Sequence, residues 1–193
     1  MNYFRAKGLI VIVCIVLCLT FNPNEARATV VDINGAYSSF TVAPPTGSDS
    51  SVATIYDVGI GIDYKKNWLF MLSYAGASSS VAMGTTTNSY STADMGVRFG
   101  RISQSKNWII TATYNFTSTG SYKPGTNPTR ELRGTSYKAD LGYNVWFGDL
   151  AAVSVRLAYY GASYTEYVIS GTLTQTSHTF TGMYPSLGLF YLF

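Results

Sequence analysis

The chain has 193 residues, and only 12% of them are charged, about half of the ~25% that is usual for globular proteins. Its formal net charge of +3 is too small for the basic surface that a nucleic-acid-binding protein needs. Composition therefore argues against a soluble domain with a charged surface and against a nucleic-acid partner.

The first 28 residues have the pattern of a cleaved secretory signal peptide. Two basic residues precede the uncharged apolar run GLIVIVCIVLCLTF, and an A-x-A arrangement follows it and ends at Ala28. The alternative is a single membrane anchor, but the run is shorter than the ~20 residues of a spanning helix. Both cysteines lie in this run, so the predicted mature chain, 29–193, has no disulfide.

From residue 29 onward, apolar and polar residues alternate with a period of two, which predicts β-strands with two distinct faces. No later apolar run approaches the length of a spanning helix. Eight strands are predicted, over 29–40, 53–64, 68–77, 90–100, 108–118, 134–147, 151–164 and 181–193.

The connections between these strands alternate in length. Long segments rich in Ser, Thr, Gly and Pro follow the first, third, fifth and seventh strands, whereas short turns around KKN, RISQSKN and GDL follow the second, fourth and sixth. All the long loops therefore leave the sheet at one end. This arrangement predicts an all-β fold, an eight-stranded antiparallel up-and-down β-barrel.

Alternation alone leaves open whether the apolar face is buried, as in a soluble ligand-carrying barrel, or faces lipid. The polar face contains few Lys or Glu residues, unlike a surface exposed to water. Trp68, Trp108 and Trp146 stand beside the short turns, and other aromatic residues cluster towards the long loops. Two aromatic girdles and strands of about ten residues are typical of a transmembrane barrel.

The chain ends on TGMYPSLGLFYLF, in which apolar residues occupy every second position. This ending resembles the closing strand of the small eight-stranded outer-membrane barrels of the OmpX, Ail and OmpA-barrel type, which end on a phenylalanine that the insertion machinery reads. The resemblance implies that Phe193, Tyr191 and Leu189 form an insertion signal. Pro185 departs from the pattern, because proline needs a bulge or an unpaired position in a strand.

The resemblance also implies where such a protein lies in the cell. We expect it in the outer membrane of a Gram-negative bacterium, in contact with membrane lipid and lipopolysaccharide. Both termini are expected in the periplasm, and the long loops are expected outside the cell.

The polar face places charged residues inside the barrel, where an unpaired charge is costly. We therefore expect an ion-pair network instead of an open channel. Asp140 and Arg156 are expected to pair with each other across the turn between the sixth and seventh strands. The alternative interpretation is a gate or a proton path. The predicted network comprises Asp57, Asp94, Arg98, Lys138, Asp140 and Arg156.

Glycine recurs between apolar residues on the polar face of each even-numbered strand. We expect these glycines to make room for bulky side chains that reach across a narrow barrel. The positions are Gly59, Gly96, Gly142 and Gly188.

The sequence offers little for catalysis. Some barrels of this size modify lipid A with a histidine, a nearby serine and an acidic partner. The single histidine, His178, has Ser177 next to it, which would face the opposite way on a strand, and Glu166 lies across the loop. We expect His178 to be an exposed loop residue without a catalytic role. The sequence contains no metal-ligand spacing and no nucleotide or cofactor motif, so no enzyme, metal site or cofactor is predicted.

The long loops are the predicted functional region, since loops carry function on barrel scaffolds. The third loop, TSTGSYKPGTNPTRELRG, carries Lys123, Arg130 and Arg133 as candidates for binding lipopolysaccharide phosphates or a host surface ligand. Two functions remain open at this point. One is a surface-interaction protein, such as an adhesin or a host-factor-binding protein, and the other is a narrow pore.

Overall fold

The period-two alternation produces one closed sheet. The computed structural model describes residues 26–43, 49–65, 67–83 and 86–193. Within them, eight antiparallel strands pair in chain order, and β1 and β8 close the ring. The strands are β1 (Ala26–Ala43), β2 (Asp49–Tyr64), β3 (Trp68–Met83), β4 (Thr86–Ile102), β5 (Trp108–Lys123), β6 (Arg130–Phe147), β7 (Ala151–Ile169) and β8 (Thr172–Leu192). The predicted up-and-down barrel is confirmed.

The first strand overlaps the end of the predicted signal peptide. β1 begins at Ala26, two residues before the expected cleavage after Ala28, and its register with β2 shifts between these two alanines. Residues 1–25 lie outside the described residues, so the signal peptide stays a prediction. The described residues contain no helix with the length and apolar character needed to cross a membrane.

The outer face of the barrel carries an aliphatic band between two aromatic rings. Leu72, Ile110 and Leu157 belong to the band and are each more than half exposed. Trp68 and Trp108 stand at the end with the short turns, termed the turn end. The second ring, termed the outer girdle, lies towards the opposite or hairpin end and comprises Tyr37, Tyr56, Tyr74, Tyr114, Tyr137 and Tyr159. This order of side chains is that of a lipid-facing surface.

Trp146 is not part of either ring, contrary to the prediction. Its ring packs edge-on against Phe190 at a centroid distance of 6.0 Å, and its Nε1 donates to the Lys106 carbonyl at 3.0 Å. Alternation along β6 places position 146 on the same face as the buried Asn144. Trp146 therefore helps to fill the turn end of the interior.

The strands extend further than predicted, and much of the expected long loops is sheet. β7 and β8 continue to Ile169 and from Thr172, so the fourth predicted loop is a hairpin with a two-residue turn. Ser170 and Gly171 form this turn, and both have positive φ angles, as the central residues of the commonest tight hairpin turns do. The loop prediction failed because segments rich in Ser and Thr were assigned to loops. These residues also form cross-strand pairs, and beyond the lipid-facing band a strand needs no apolar face.

The third predicted loop is also mostly sheet. β5 ends at Lys123 and β6 begins at Arg130, so only 124–129 connect them. Tyr122 and Leu132 point inward and are buried. Removal of residues 120–134 would therefore take away part of the core, whereas a solvated loop could be shortened at little cost.

The interior is filled in three layers. An apolar layer closes the turn end, ion-paired residues fill the middle, and an aromatic layer closes the hairpin end. Tyr160 and Tyr184 belong to the aromatic layer and Phe190 belongs to the apolar one. The cavity between the charged and aromatic layers measures about 10 Å³, room for about one water molecule. Side chains thus fill the interior, as in other barrels of eight strands.

Two of the recurring glycines leave space for arginine side chains. A Cβ atom on Gly142 would lie 2.5 Å from Cγ of Arg156, and one on Gly59 would lie 3.1 Å from Nη1 of Arg98. Any larger residue at these positions would displace the guanidinium groups. The glycines therefore position the charged layer, in agreement with the expectation of bulky neighbours.

The chain terminus takes part in closing the ring. The Phe193 amide donates to the Thr29 carbonyl at 2.9 Å, and the Thr29 amide donates to the Phe193 carbonyl at 3.1 Å. The pairing of β1 with β8 is interrupted between Leu187 and Thr181. Pro185 lies in this interruption, so its missing amide hydrogen costs no ladder bond to β1.

An arginine in the aliphatic band should destabilise the barrel. We expect Leu157→Arg to lower the free energy of unfolding in lipid vesicles by about 2–4 kcal/mol, because the charge must enter hydrocarbon. Leu173 is equally exposed, at 52% against 51%, but it lies beyond the outer girdle near the hairpin turn. Leu173→Arg should cost less than about 1 kcal/mol. Equal losses in urea titrations of the two variants would contradict this placement of the membrane.

Candidate functional site

Six charged side chains form one continuous chain across the middle of the interior. Both guanidinium groups bind Asp32: Arg156 donates to its two carboxylate oxygens at 2.7 and 2.8 Å, and Arg98 donates to Oδ2 at 2.7 Å. Arg98 and Lys138 both donate to Asp57, and Lys138 Nζ lies 3.0 Å from Asp140 Oδ1. The order along this ion-pair chain is Arg156, Asp32, Arg98, Asp57, Lys138 and Asp140. Three cations and three carboxylates alternate, so the chain has no net charge.

Neutral groups complete the hydrogen bonding of the ion-pair chain. Arg98 Nε donates to Thr113 Oγ1 at 3.1 Å, and Arg156 Nε donates to Ser154 Oγ at 2.9 Å. Thr111 donates to Asp140 Oδ2 at 2.9 Å. Buried charges are stable only when they are paired and hydrogen-bonded, and these contacts meet both conditions.

The structure corrects the predicted network in two places. Asp140 and Arg156 are the two ends of the ion-pair chain and form no ion pair with each other, because Asp140 faces Ala158 and Arg156 faces Gly142 in the register. Asp32, which the prediction missed, lies at the centre instead. The signal was present, because Asp32 and Asn34 alternate with the apolar Val31 and Ile33 in VVDING, but the prediction did not use it.

Asp94 does not belong to the ion-pair chain, although it was predicted to. Its carboxylate accepts hydrogen bonds from the hydroxyls of Ser118 and Tyr160, each at 2.6 Å. These neutral donors connect it to the aromatic layer. A register shift between Asn115 and Ser118 of β5 in the pairing with β6 turns Ser118 inward and creates this contact.

His178 is buried in the aromatic layer, so the prediction of an exposed loop residue was wrong. Its ring packs near Tyr122 at a centroid distance of 5.7 Å, and Nδ1 lies 2.9 Å from Thr176 Oγ1. Among the described residues, Nε2 has no hydrogen-bond partner. In the part of the chain that the structure describes, no three His, Cys, Asp or Glu residues could hold a metal ion.

The three cationic loop candidates lie in different places. Arg130 turns towards the interior, where its guanidinium stacks between Tyr122 and Tyr167 at 5.7 and 5.4 Å from the ring centroids. Arg133 is on the outer face of β6, opposite Glu166. Lys123 is exposed at the end of β5. They do not form one basic patch.

A groove rich in hydroxyl groups runs over the outer face of β2–β5 beyond the outer girdle. One row of directly paired residues carries Thr54, Ser78, Ser91 and Ser121, and a second row carries Ser80, Ser89 and Lys123. The groove has a volume of about 410 Å³, and Tyr37, with 76% of its surface exposed, stands at one end. The hydroxyl groove was not predicted, because Ser78, Ser80, Ser89 and Ser121 were assigned to loops and only Thr54 and Ser91 to strands.

The central carboxylate should be the most sensitive position of the interior. We expect Asp32→Asn to destabilise the barrel by about 3–5 kcal/mol, because two buried guanidinium groups lose their common partner. Asp94→Asn is the matched control and should cost about 1–2 kcal/mol, since Asp94 binds only neutral donors. Urea unfolding of both variants tests this, and equal costs would show that the ion-pair chain is not the main constraint.

The chain is similar to known proteins in its fold but not in its sequence. No family model and no curated protein sequence matches this chain. Among solved structures, Ail, the attachment invasion locus protein of Yersinia pestis, in complex with the heparin analogue sucrose octasulfate, is similar with a TM-score of 0.55. The identity is 11%, over 86% of this chain and 99% of that one.

Two further structures agree with this likeness. Neisserial surface protein A has a TM-score of 0.52 at 12% identity, over 86% of this chain and 97% of that one. The outer membrane protein AlkL, solved in lipid bilayers, has a TM-score of 0.50 at 8% identity, over 88% of this chain and 92% of that one. The chain therefore has the fold of the small eight-stranded outer-membrane β-barrel proteins.

Proposed function

We propose that this protein is an outer-membrane surface-interaction protein that binds a carbohydrate in its hydroxyl groove. The hairpin end then lies outside the cell, and the turn end and both termini lie in the periplasm. The groove is the observation that carries the proposal, because its side chains stand on rigid paired strands beyond the lipid-facing band. Sites built on strands hold their groups more precisely than sites on loops do.

The chemistry of the groove suits a sugar. Each Ser or Thr hydroxyl both donates and accepts hydrogen bonds, as sugar hydroxyls do. Ser91 Oγ and Ser121 Oγ lie 2.9 Å apart, so these two groups are already aligned on the outer face. Tyr37 adds an exposed ring with a polar tip, a combination that is common at binding surfaces. Lys123 adds one positive charge at the end of the second row, which would favour a sugar with an anionic group.

The likeness to Ail supports the same class of ligand. That protein was crystallised with a sulfated sugar, although its 11% identity to this chain carries no residue-level correspondence. We also propose that lipopolysaccharide and the outer-membrane insertion machinery are partners, the latter through Leu189, Tyr191 and Phe193.

The second candidate, a narrow pore, conflicts with the filling of the interior. A pore needs a continuous water path, and the apolar and aromatic layers seal both ends of the charged layer. An enzyme also finds no support around His178, because this side chain is enclosed by the aromatic layer and its Nδ1 contacts Thr176. The outer surface is the part of the molecule that remains accessible to a ligand.

Removal of hydroxyl groups from the groove should weaken sugar binding. The folded protein is first tested against a panel of neutral and sulfated oligosaccharides, including sucrose octasulfate. For the tightest binder, we expect Ser78→Ala with Ser91→Ala to raise the Kd about tenfold, since two hydrogen bonds are lost. The matched control is Ser163→Ala, an exposed serine on the outer face of β7, which should bind as the wild type does. No binding to any sugar of the panel, or equal losses in both variants, would contradict the proposal.

A further inference from the structure

A second groove lies on the lipid-facing surface of the barrel, on the side of β4–β8. It has a volume of about 420 Å³, and its walls include Phe99, Ile110, Leu141, Leu157 and Tyr159. Lipid-facing side chains line this depression, so lipid chains have direct access to it. We term it the lipid groove.

Two alanines create the floor of the lipid groove. Ala112 and Ala139 are direct partners on β5 and β6, and their larger neighbours in the same row are Phe99 on β4 and Tyr159 on β7. Thr111 and Asp140 point inward yet also line the groove, so it is their backbone that forms part of the floor. The depression thus follows from small side chains between large ones.

The lipid groove runs diagonally across the membrane. The row of the two floor alanines begins at Phe99 on β4, passes through Ala112, Ala139 and Tyr159, and reaches Met183 on β8; all five residues line the groove. Arg101, which also lines the groove, is the second-last residue of β4, whereas Met183 lies well inside β8. Neighbouring strands lie about 4.8 Å apart, so four spacings give a groove of roughly 19 Å, about the length of a long acyl chain.

The end of the lipid groove at the membrane surface is positively charged. The guanidinium of Arg101 lies 5.3 Å from the centroid of the Trp68 ring, both residues line the groove, and both are exposed. Trp68 belongs to the aromatic ring of the turn end, at the depth of lipid headgroups. A guanidinium fits the oxygens of a phosphate group with two parallel hydrogen bonds.

We infer that the lipid groove binds one glycerophospholipid of the inner leaflet, with its phosphate on Arg101 and one acyl chain along Ala112 and Ala139. Charge complementarity selects this occupant, because the cation and the apolar channel meet at the membrane surface as phosphate and acyl chain do in the lipid. The inference uses the orientation proposed above but is independent of sugar binding, since the two grooves lie on opposite sides of the outer girdle.

Native mass spectrometry of the folded full barrel in detergent tests this inference. Wild type is titrated with phosphatidylglycerol, and we expect one lipid to stay bound at collision energies that remove the others. Filling the floor with Ala112→Leu and Ala139→Leu should weaken this binding about tenfold. Ala93→Leu is the matched control, an outward-facing alanine of β4 that lies outside the groove, and it should bind as the wild type does.

The headgroup contact is tested separately. Arg101→Gln should lose about tenfold in affinity for phosphatidylglycerol, whereas Arg101→Lys should keep most of it. Diacylglycerol with the same acyl chains has no phosphate and should bind wild type and Arg101→Gln equally. The difference in electrophoretic mobility between heated and unheated samples establishes that each variant is folded. Unchanged binding by the groove-filled variant, or an equal loss in Ala93→Leu, would overturn the inference and leave only general lipid contact.

Discussion

The shared carboxylate of Asp32 is the contact on which the interior depends. It binds a guanidinium from β4 and one from β7 at the same time, while it belongs to β1. Asp57 of β2 then connects Arg98 to Lys138 of β6. Five of the eight strands are thus joined across the lumen by charge-assisted hydrogen bonds, in addition to the ladder bonds between neighbours.

The two layers that enclose the ion-pair chain exclude water from it. Exclusion of water strengthens the attraction between paired charges and raises the cost of leaving one unpaired. The same packing makes the lumen unsuitable for transport, because the cavity between the charged and aromatic layers has room for only about one water molecule. A barrel with a sealed interior has only its outer surface for recognition. That surface divides into a polar groove beyond the outer girdle and an apolar groove within the membrane.

The fold was predictable because each strand repeats the same local rule. Alternation in β4 and β6 assigns Arg98, Lys138 and Asp140 to the polar face, and the structure buries all three side chains. The partners of these residues were not predictable, since a contact such as the one between Asp32 and Arg156 joins positions 124 residues apart and depends on barrel diameter and register. His178 and most serines of the hydroxyl groove were misjudged for a different reason. Beyond the membrane, strands lose their apolar face, so Ser- and Thr-rich sheet resembles loop in sequence.

Electrical recording in planar lipid bilayers tests the sealed interior most directly. Purified wild-type barrel is inserted at increasing amounts, and the current is recorded at moderate voltages of both signs in potassium chloride. A barrel sealed by an apolar layer, an ion-pair chain and an aromatic layer should give no steady current above that of the bare bilayer. Uniform current steps that persist and that increase in number with the amount of protein would show a continuous water path and would contradict this account.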